Sequence, residues 1–243
     1  MIWRAIADLL MPRVCVVCGR VLERDEEHLC EACWKDLPQT RYWNLRENPM
    51  AESFNALIQR NMGEDVQYQP YSYAAALYFY KGGYREISKA LKYRRNFAAG
   101  RCLGRLFGQT LAETEYFRDV DLVVPIPLHW TRRWRRGYNQ AGIIAREVAV
   151  CLGCPCDARL LKRARHTRTQ THLNLEGRAQ NVTGAFRVRR SANKSGMTAP
   201  RHILLIDDVF TTGATAAACE AAIHNALPAR TRVSIATLAC VEH

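Results

Sequence analysis

Two stretches of this sequence carry residue types at spacings that chemistry would need. The first runs Leu204-Leu205-Ile206-Asp207-Asp208-Val209-Phe210-Thr211-Thr212-Gly213-Ala214-Thr215. Aliphatic residues fill a strand, two carboxylates stand at its tip, and a loop of small hydroxyl residues then opens a helix. Such a loop presents free backbone N–H groups and the positive end of the helix dipole to a phosphate. Gly213 lets the backbone approach closely, while Thr211, Thr212 and Thr215 add hydroxyl donors. Asp207 and Asp208 can accept hydrogen bonds from neighbouring sugar hydroxyls, and a carboxylate here could support Mg²⁺. The combination suits a ribose that carries a phosphate. It is not the nucleotide-triphosphatase loop, because no glycine-rich loop ending in Gly-Lys-Ser or Gly-Lys-Thr occurs in the chain.

The second stretch is a cysteine quartet: Cys15 and Cys18, then an interval of eleven residues, then Cys30 and Cys33. Each pair closes a tight knuckle whose thiolates point the same way, and two knuckles complete a tetrahedron around zinc. Gly19 follows the first pair, where a left-handed turn is wanted. Structural disulfides or a redox pair are the competing readings. The first fits poorly with an intracellular protein, and the second needs one pair rather than two. With all four ligands cysteine, no position stays open for water or substrate, so this zinc would fold the chain rather than do chemistry. Cys151, Cys154 and Cys156 have no matching pair and read as buried thiols at a helix end.

Elements must position these groups. From Tyr71 onward strand-like and helix-like runs alternate. Strands are expected at Tyr73–Tyr80, Leu122–Val124, His202–Ile206 and Arg232–Ala239, with a shorter one at Leu160-Leu161. Helices are expected at Tyr84–Tyr93, Ala98–Glu113, Gln140–Leu152 and Gly213–Leu227. That alternation argues for an α/β fold, a mostly parallel sheet with helices on both faces. Ligands of such sheets bind outside the carboxyl ends of the strands, where the Asp pair falls. Three regions follow: residues 1–40 with an amino-terminal helix and the four-cysteine knuckle, an irregular connector at 41–70, and the α/β domain at 71–243. The helix would place Ile2, Trp3, Ile6, Leu9 and Leu10 against the knuckles or the next domain.

Length and composition bound the rest. The chain has 243 residues, 48% apolar and 24% charged, which excludes a wholly disordered protein. No apolar run approaches the ~18 residues of a membrane span. The opening segment is interrupted by Arg4 and Asp8, a poor secretory signal, and the expectation is a soluble cytoplasmic protein. Thirty-five Lys and Arg against 23 Asp and Glu leave a formal charge of +12, biased towards polyanions or phosphorylated ligands. Arg132, Arg133, Arg135 and Arg136 are interleaved with Trp130, Trp134 and Tyr138. Bases stack on such rings while phosphates meet the arginines, which reads as a single-stranded nucleic-acid surface; a solvated face is the alternative.

At this point the sequence resembles a known family. LLIDDVFTTGAT is similar to the phosphoribosyl-pyrophosphate (PRPP) signature of type I phosphoribosyltransferases. Together with Val123–His129, Arg132, Arg136–Gln140, Arg165, Thr169-Gln170, Arg178, Asn181-Val182, Gly184–Phe186 and the cysteine quartet, it resembles the ComF family over nearly the whole chain. The resemblance implies that Asp207 and Asp208 hold ribose hydroxyls and that Thr211, Thr212, Gly213, Ala214 and Thr215 hold the 5′-phosphate. It implies that Ile126, Pro127, Leu128 and His129 form the turn facing pyrophosphate, with Mg²⁺ bridging ribose and diphosphate. Arg165 to His172 would be a mobile loop whose arginines neutralise the diphosphate. It further implies a role in DNA uptake, processing or utilisation, with single-stranded DNA and competence or DNA-processing proteins as partners. A true transferase, moving ribose phosphate from PRPP to an acceptor, is the other reading. No catalytic base is identifiable.

Overall fold

A computed structural model describes residues 12–62, 70–93, 96–128, 137–163, 185–189 and 199–242. Strand β5 (His202–Phe210) is the centre of the molecule. Its aliphatic residues alternate between two apolar layers. Ile203 and Leu205 face one, Leu204 and Ile206 the other, and all four are fully buried. A strand buried on both faces reads as a continuous apolar run, which is why this segment was legible.

β5 lies between β2 (Leu122–Pro125) and β6 (Arg232–Cys240), and β6 pairs in turn with β1 (Ala74–Phe79). All three pairings are parallel. One face of the sheet is covered by α3 (Tyr84–Tyr93), α4 (Phe97–Ala112) and α5 (Gln140–Leu152), through Ile87, Leu103, Phe107, Ile144 and Val148. The other is covered by α2 (Pro49–Met62), α6 (Ala214–His224) and a small antiparallel pair, β3 (Leu161–Arg163) with β4 (Phe186–Val188). The expected α/β architecture, with helices on both faces, is the observed one.

Two expectations are corrected. Residues 41–70 are not an irregular connector, because they contain a 3₁₀ turn (Tyr42–Asn44) and the fourteen-residue α2. The asparagines that suggested a loop fasten this helix. Asn48 Oδ1 accepts from the Ala51 amide at 3.0 Å, and Asn48 Nδ2 donates to the Ala74 carbonyl of β1, also at 3.0 Å. Pro49 sits in the first turn, where its missing N–H costs nothing, and Met50, Ala51, Phe54 and Ile58 form the buried face. The second correction concerns β5, which does not end at Ile206. It stays in register with β6 through Asp207–Thr237, Val209–Ala239 and Phe210–Cys240, so the Asp pair lies within the last part of the strand rather than beyond it.

The amino end of β5 is closed by a polar network. His202 is buried, with Nδ1 2.6 Å from Asp119 Oδ1 and Nε2 2.8 Å from Ser234 Oγ. Ser234 Oγ also accepts from the Tyr73 amide at 3.0 Å, and Arg232 reaches the second Asp119 oxygen at 3.2 Å. A neutral imidazole satisfies every partner, donating from Nδ1 to Asp119 and accepting at Nε2 from the Ser234 hydroxyl. Burial pushes the His202 pKa down against the opposing pull of Asp119, in keeping with that form. Although the residue types are those of a hydrolytic triad, Ser234 has no exposed surface, and the network is structural.

At the far edge of the sheet, residues 38–40 run beside β1. The Phe79 amide donates to the Pro38 carbonyl at 2.7 Å, and Gln39 bridges Tyr78 in antiparallel fashion. The segment leaving the cysteine knuckles thereby covers an edge strand. No helix among the described residues is long and apolar enough to cross a membrane.

Candidate functional site

The cysteine quartet converges as its spacing requires. The four Sγ atoms lie within 4.8 Å of one another, and Cys18 Sγ is 3.7 Å from Cys30 Sγ. A tetrahedron with Zn–S bonds of about 2.3 Å has S···S edges of about 3.8 Å, so the sulfurs are spaced for a metal and not for disulfides. The first knuckle is closed by the Gly19 amide donating to the Cys15 carbonyl at 2.9 Å, with Gly19 at φ +75°. The second lies on the short helix α1 (Glu31–Lys35), with Cys30 as its N-cap. Burial opposes ionisation of Cys15, but backbone N–H groups around Cys18, Cys30 and Val17 outweigh it and bring the thiol down to about 6. Cys33 is pushed up, by burial first and then by its cysteine neighbours. Zinc binding displaces the protons that the quartet carries. The site is a structural zinc centre. Cys151, Cys154 and Cys156 are half-buried rather than core thiols, and they do not join a metal-ligating group among the described residues.

At the opposite end of β5 from His202 the chain builds the second site. Asp207 is half-buried, and its Oδ1 accepts from the Asp208 amide at 2.8 Å. Burial, and after it the charge of Asp208, holds the Asp207 carboxyl well above the ordinary carboxylate range. The two carboxyl groups, adjacent at the strand end, offer hydrogen-bonding oxygens side by side, which matches two adjacent hydroxyls. Thr211 and Thr212 are exposed in the loop that follows. Gly213, at φ +74°, is the N-cap of α6, and no side chain caps the helix. A Cβ on Gly213 would lie 2.6 Å from Phe210 Cζ and 2.9 Å from Leu57 Cδ1, so the turn requires glycine. Ala214 and Thr215 open α6, whose first-turn amides have no intrahelical partner and are available to an anion.

Ile126, Pro127 and Leu128 follow β2 beside this site. The Ile126 main chain is already committed, its amide to the Ile206 carbonyl at 2.8 Å and its carbonyl to Asn139 Nδ2 at 3.0 Å. It therefore fixes the turn, while Pro127 and Leu128 are half-buried at the strand end. Tyr138 is half-buried with its ring 4.6 Å from that of Phe97, edge to face. His129, Arg132, Arg133, Arg135, Arg136 and Arg165 lie outside the described residues, as do the opening helix and the loop Arg165–His172.

Sequence reasoning missed Lys92. Its Nζ is 3.1 Å from Asp208 Oδ2, although the two residues belong to distant parts of the chain. The available signal was a polar stripe, Tyr84, Ser88 and Lys92, at helical spacing on α3.

The fold and the two sites define a class: a parallel α/β sheet with two carboxylates at a strand end that leads into an uncapped helix, preceded by a four-cysteine zinc module. Residues 6–42 match the double zinc ribbon domain family. The chain is 33% identical over 132 residues to Competence protein F of Haemophilus influenzae, covering 53% of this chain and 56% of that one. It is 35% identical over 130 residues to the DNA utilization protein YhgH of Salmonella typhi, with 52% and 55% covered. A longer match, 25% identical over 218 residues, is to Competence protein ComFC of Bacillus subtilis, with 88% and 79% covered. The matches to the first two relatives span just over half the length of each.

Proposed function

We propose that the carboxyl end of the sheet binds PRPP with Mg²⁺, and that the protein acts in the uptake, processing or utilisation of DNA in the cytoplasm. One observation carries the ligand reading. Two adjacent, half-buried carboxyl groups at the end of β5 lead, through a glycine turn, into an uncapped helix. Asp207 and Asp208 would hold the ribose hydroxyls, residues 211–215 the 5′-phosphate, and Mg²⁺ would reach Asp208 from the ligand side. The turn Ile126–His129 and Arg165 would face the diphosphate. Residues 1–40 would serve as the zinc unit, and 71–243 as the ligand-binding unit with α2 packed on it.

Relatives named for competence and for DNA utilization support the DNA role. The +12 charge and the arginine run at 132–136 support single-stranded DNA as the polyanion, with competence or DNA-processing proteins as further partners. The intact acid pair and phosphate loop also favour a second reading, a phosphoribosyltransferase that turns PRPP over. Departing pyrophosphate would leave an oxocarbenium-like sugar in need of charge stabilisation more than of a base, and the Asp pair is suited to that.

Anisotropy of labelled single-stranded DNA, titrated with the full chain at several salt concentrations, tests the DNA role. The expected log K falls by ~0.7 per contacted phosphate for each decade of salt. A flat dependence, or no binding at low salt, would remove DNA as the partner of the basic surface. Release of pyrophosphate from PRPP on addition of an acceptor would move the assignment to the enzyme.

A further inference from the structure

Lys92 is placed unlike the other lysine–carboxylate pairs of this protein. Lys35 with Glu31, Lys89 with Glu86 and Lys81 with Glu242 are exposed surface pairs. The Lys92 ammonium and the Asp208 carboxylate instead keep only 21% and 20% of their side-chain surface, at the mouth of the candidate site. Lys92 is also the last of three polar residues on one stripe of α3. The other two, Tyr84 and Ser88, are buried, and neither hydroxyl has a hydrogen-bond partner among the described residues. The charges of Asp208 and Asp207 bear on Tyr84 and, after burial itself, hold its hydroxyl well above the ordinary range. A core helix face would carry apolar side chains at these positions. This face carries two buried hydroxyls with unused hydrogen-bonding capacity and, one turn beyond Ser88, the ammonium that meets Asp208.

An ammonium about 3 Å from a carboxylate oxygen and a divalent cation on the same oxygen would repel each other strongly, so the two compete for Asp208. The lysine stem is long and flexible enough for the ammonium to swing aside by several ångströms. The Tyr80 ring, 5.9 Å from Nζ, flanks its path on one side.

We propose that Lys92 is an exchangeable counter-ion of this site, which yields Asp208 to the Mg²⁺ of an incoming phosphosugar and then pairs with the ligand's diphosphate. The proposal rests on the reading of this strand end as a PRPP site. It adds a basic group from α3 that neither the loop after β5 nor the turn after β2 supplies. It also makes the carboxylate available only to a ligand that brings its own cation and enough negative charge to hold the displaced ammonium.

The test compares the wild-type chain with K92M and K92R by calorimetric titration, using Mg²⁺ alone, then ribose 5-phosphate, then Mg²⁺ with inorganic pyrophosphate and with PRPP. K92M is expected to bind Mg²⁺ alone about three- to tenfold more tightly, because the competing ammonium is gone. It should bind pyrophosphate and PRPP at least about tenfold more weakly, having lost a charge-assisted contact. Ribose 5-phosphate, which lacks the diphosphate, should not be weakened, and K92R should restore most of the pyrophosphate affinity. If wild type binds PRPP and K92M matches it for Mg²⁺ and pyrophosphate alike, Lys92 is a structural ion pair and the proposal fails by itself. If wild type binds neither PRPP nor pyrophosphate, the site reading fails and takes the proposal with it. Should K92M not fold, the K92R titrations decide: pyrophosphate affinity close to wild type supports the proposal, and its loss with Mg²⁺ affinity unchanged overturns it.

Discussion

The two ends of strand β5 treat buried polar groups in opposite ways. At the amino end His202 has Asp119 on one ring nitrogen and Ser234 on the other, and Ser234 is held in turn by the Tyr73 amide. At the carboxyl end two carboxylates are adjacent in sequence, one is held away from its ordinary ionisation, and the cation that balances the other arrives from a different element. Partners on both nitrogens of a buried imidazole fix a structure, whereas like charges placed together destabilise it and persist where a ligand needs them. On the proposed reading, one strand thus has a supporting end and a working end.

The largest expected effect lies at neither end and bounds the comparison. Stripping zinc with a strong chelator removes a binding free energy on the order of 10 kcal/mol from the knuckles. Residues 12–37 should then become protease-sensitive, while amide exchange in β5 and β6 stays slow. Fast exchange throughout β5 would show that the sheet depends on the metal and that its two ends are not independent of it.

The next effect concerns the supporting end. His202→Ala leaves Asp119 and Ser234 without their partner and should cost about 2–4 kcal/mol in urea unfolding, with PRPP affinity unchanged once the protein is folded. The pH dependence has a definite sign. A buried histidine whose pKa is lowered on folding contributes stability that is present above its unfolded value near ~6.5 and is lost as the pH falls below it. Wild type should lose thermal midpoint between about pH 6.5 and 5 by more than the His202→Ala variant does. Equal slopes would show that the network does not hold the imidazole neutral.

The smallest stability effect belongs to the working end. Asp207→Asn removes a carboxyl whose charge is disfavoured by burial and by Asp208, so stability at neutral pH should stay level or rise by about 1 kcal/mol while ligand affinity is lost. A loss as large as that of His202→Ala would erase the distinction between the two ends.

Much of this arrangement could be read from the sequence, for identifiable reasons. The sheet was visible because strands buried on both faces are short apolar runs, and α3 and α5 because their apolar residues recur at helical spacing. The metal centre was visible because knuckle geometry is local. Helix α2 was hidden because Asn48 and Asn55, which read as loop residues, spend their amides fastening it to Ala74 and Ser72. Strand β4, at three residues, is too short to show a period. The His202 network and Lys92 were hidden for a common reason: their partners, Asp119, Ser234 and Asp208, are brought to them only by the fold.

The most direct test of the central claim is a calorimetric titration of the full, zinc-loaded chain with Mg²⁺–PRPP, set beside the double variant Asp207→Asn, Asp208→Asn. The account predicts saturable binding with one site per chain in the wild type and none in a double variant whose circular dichroism and thermal midpoint show it folded. Undiminished binding by that variant, or no binding by the wild type, would contradict the assignment of this strand end as the ligand site.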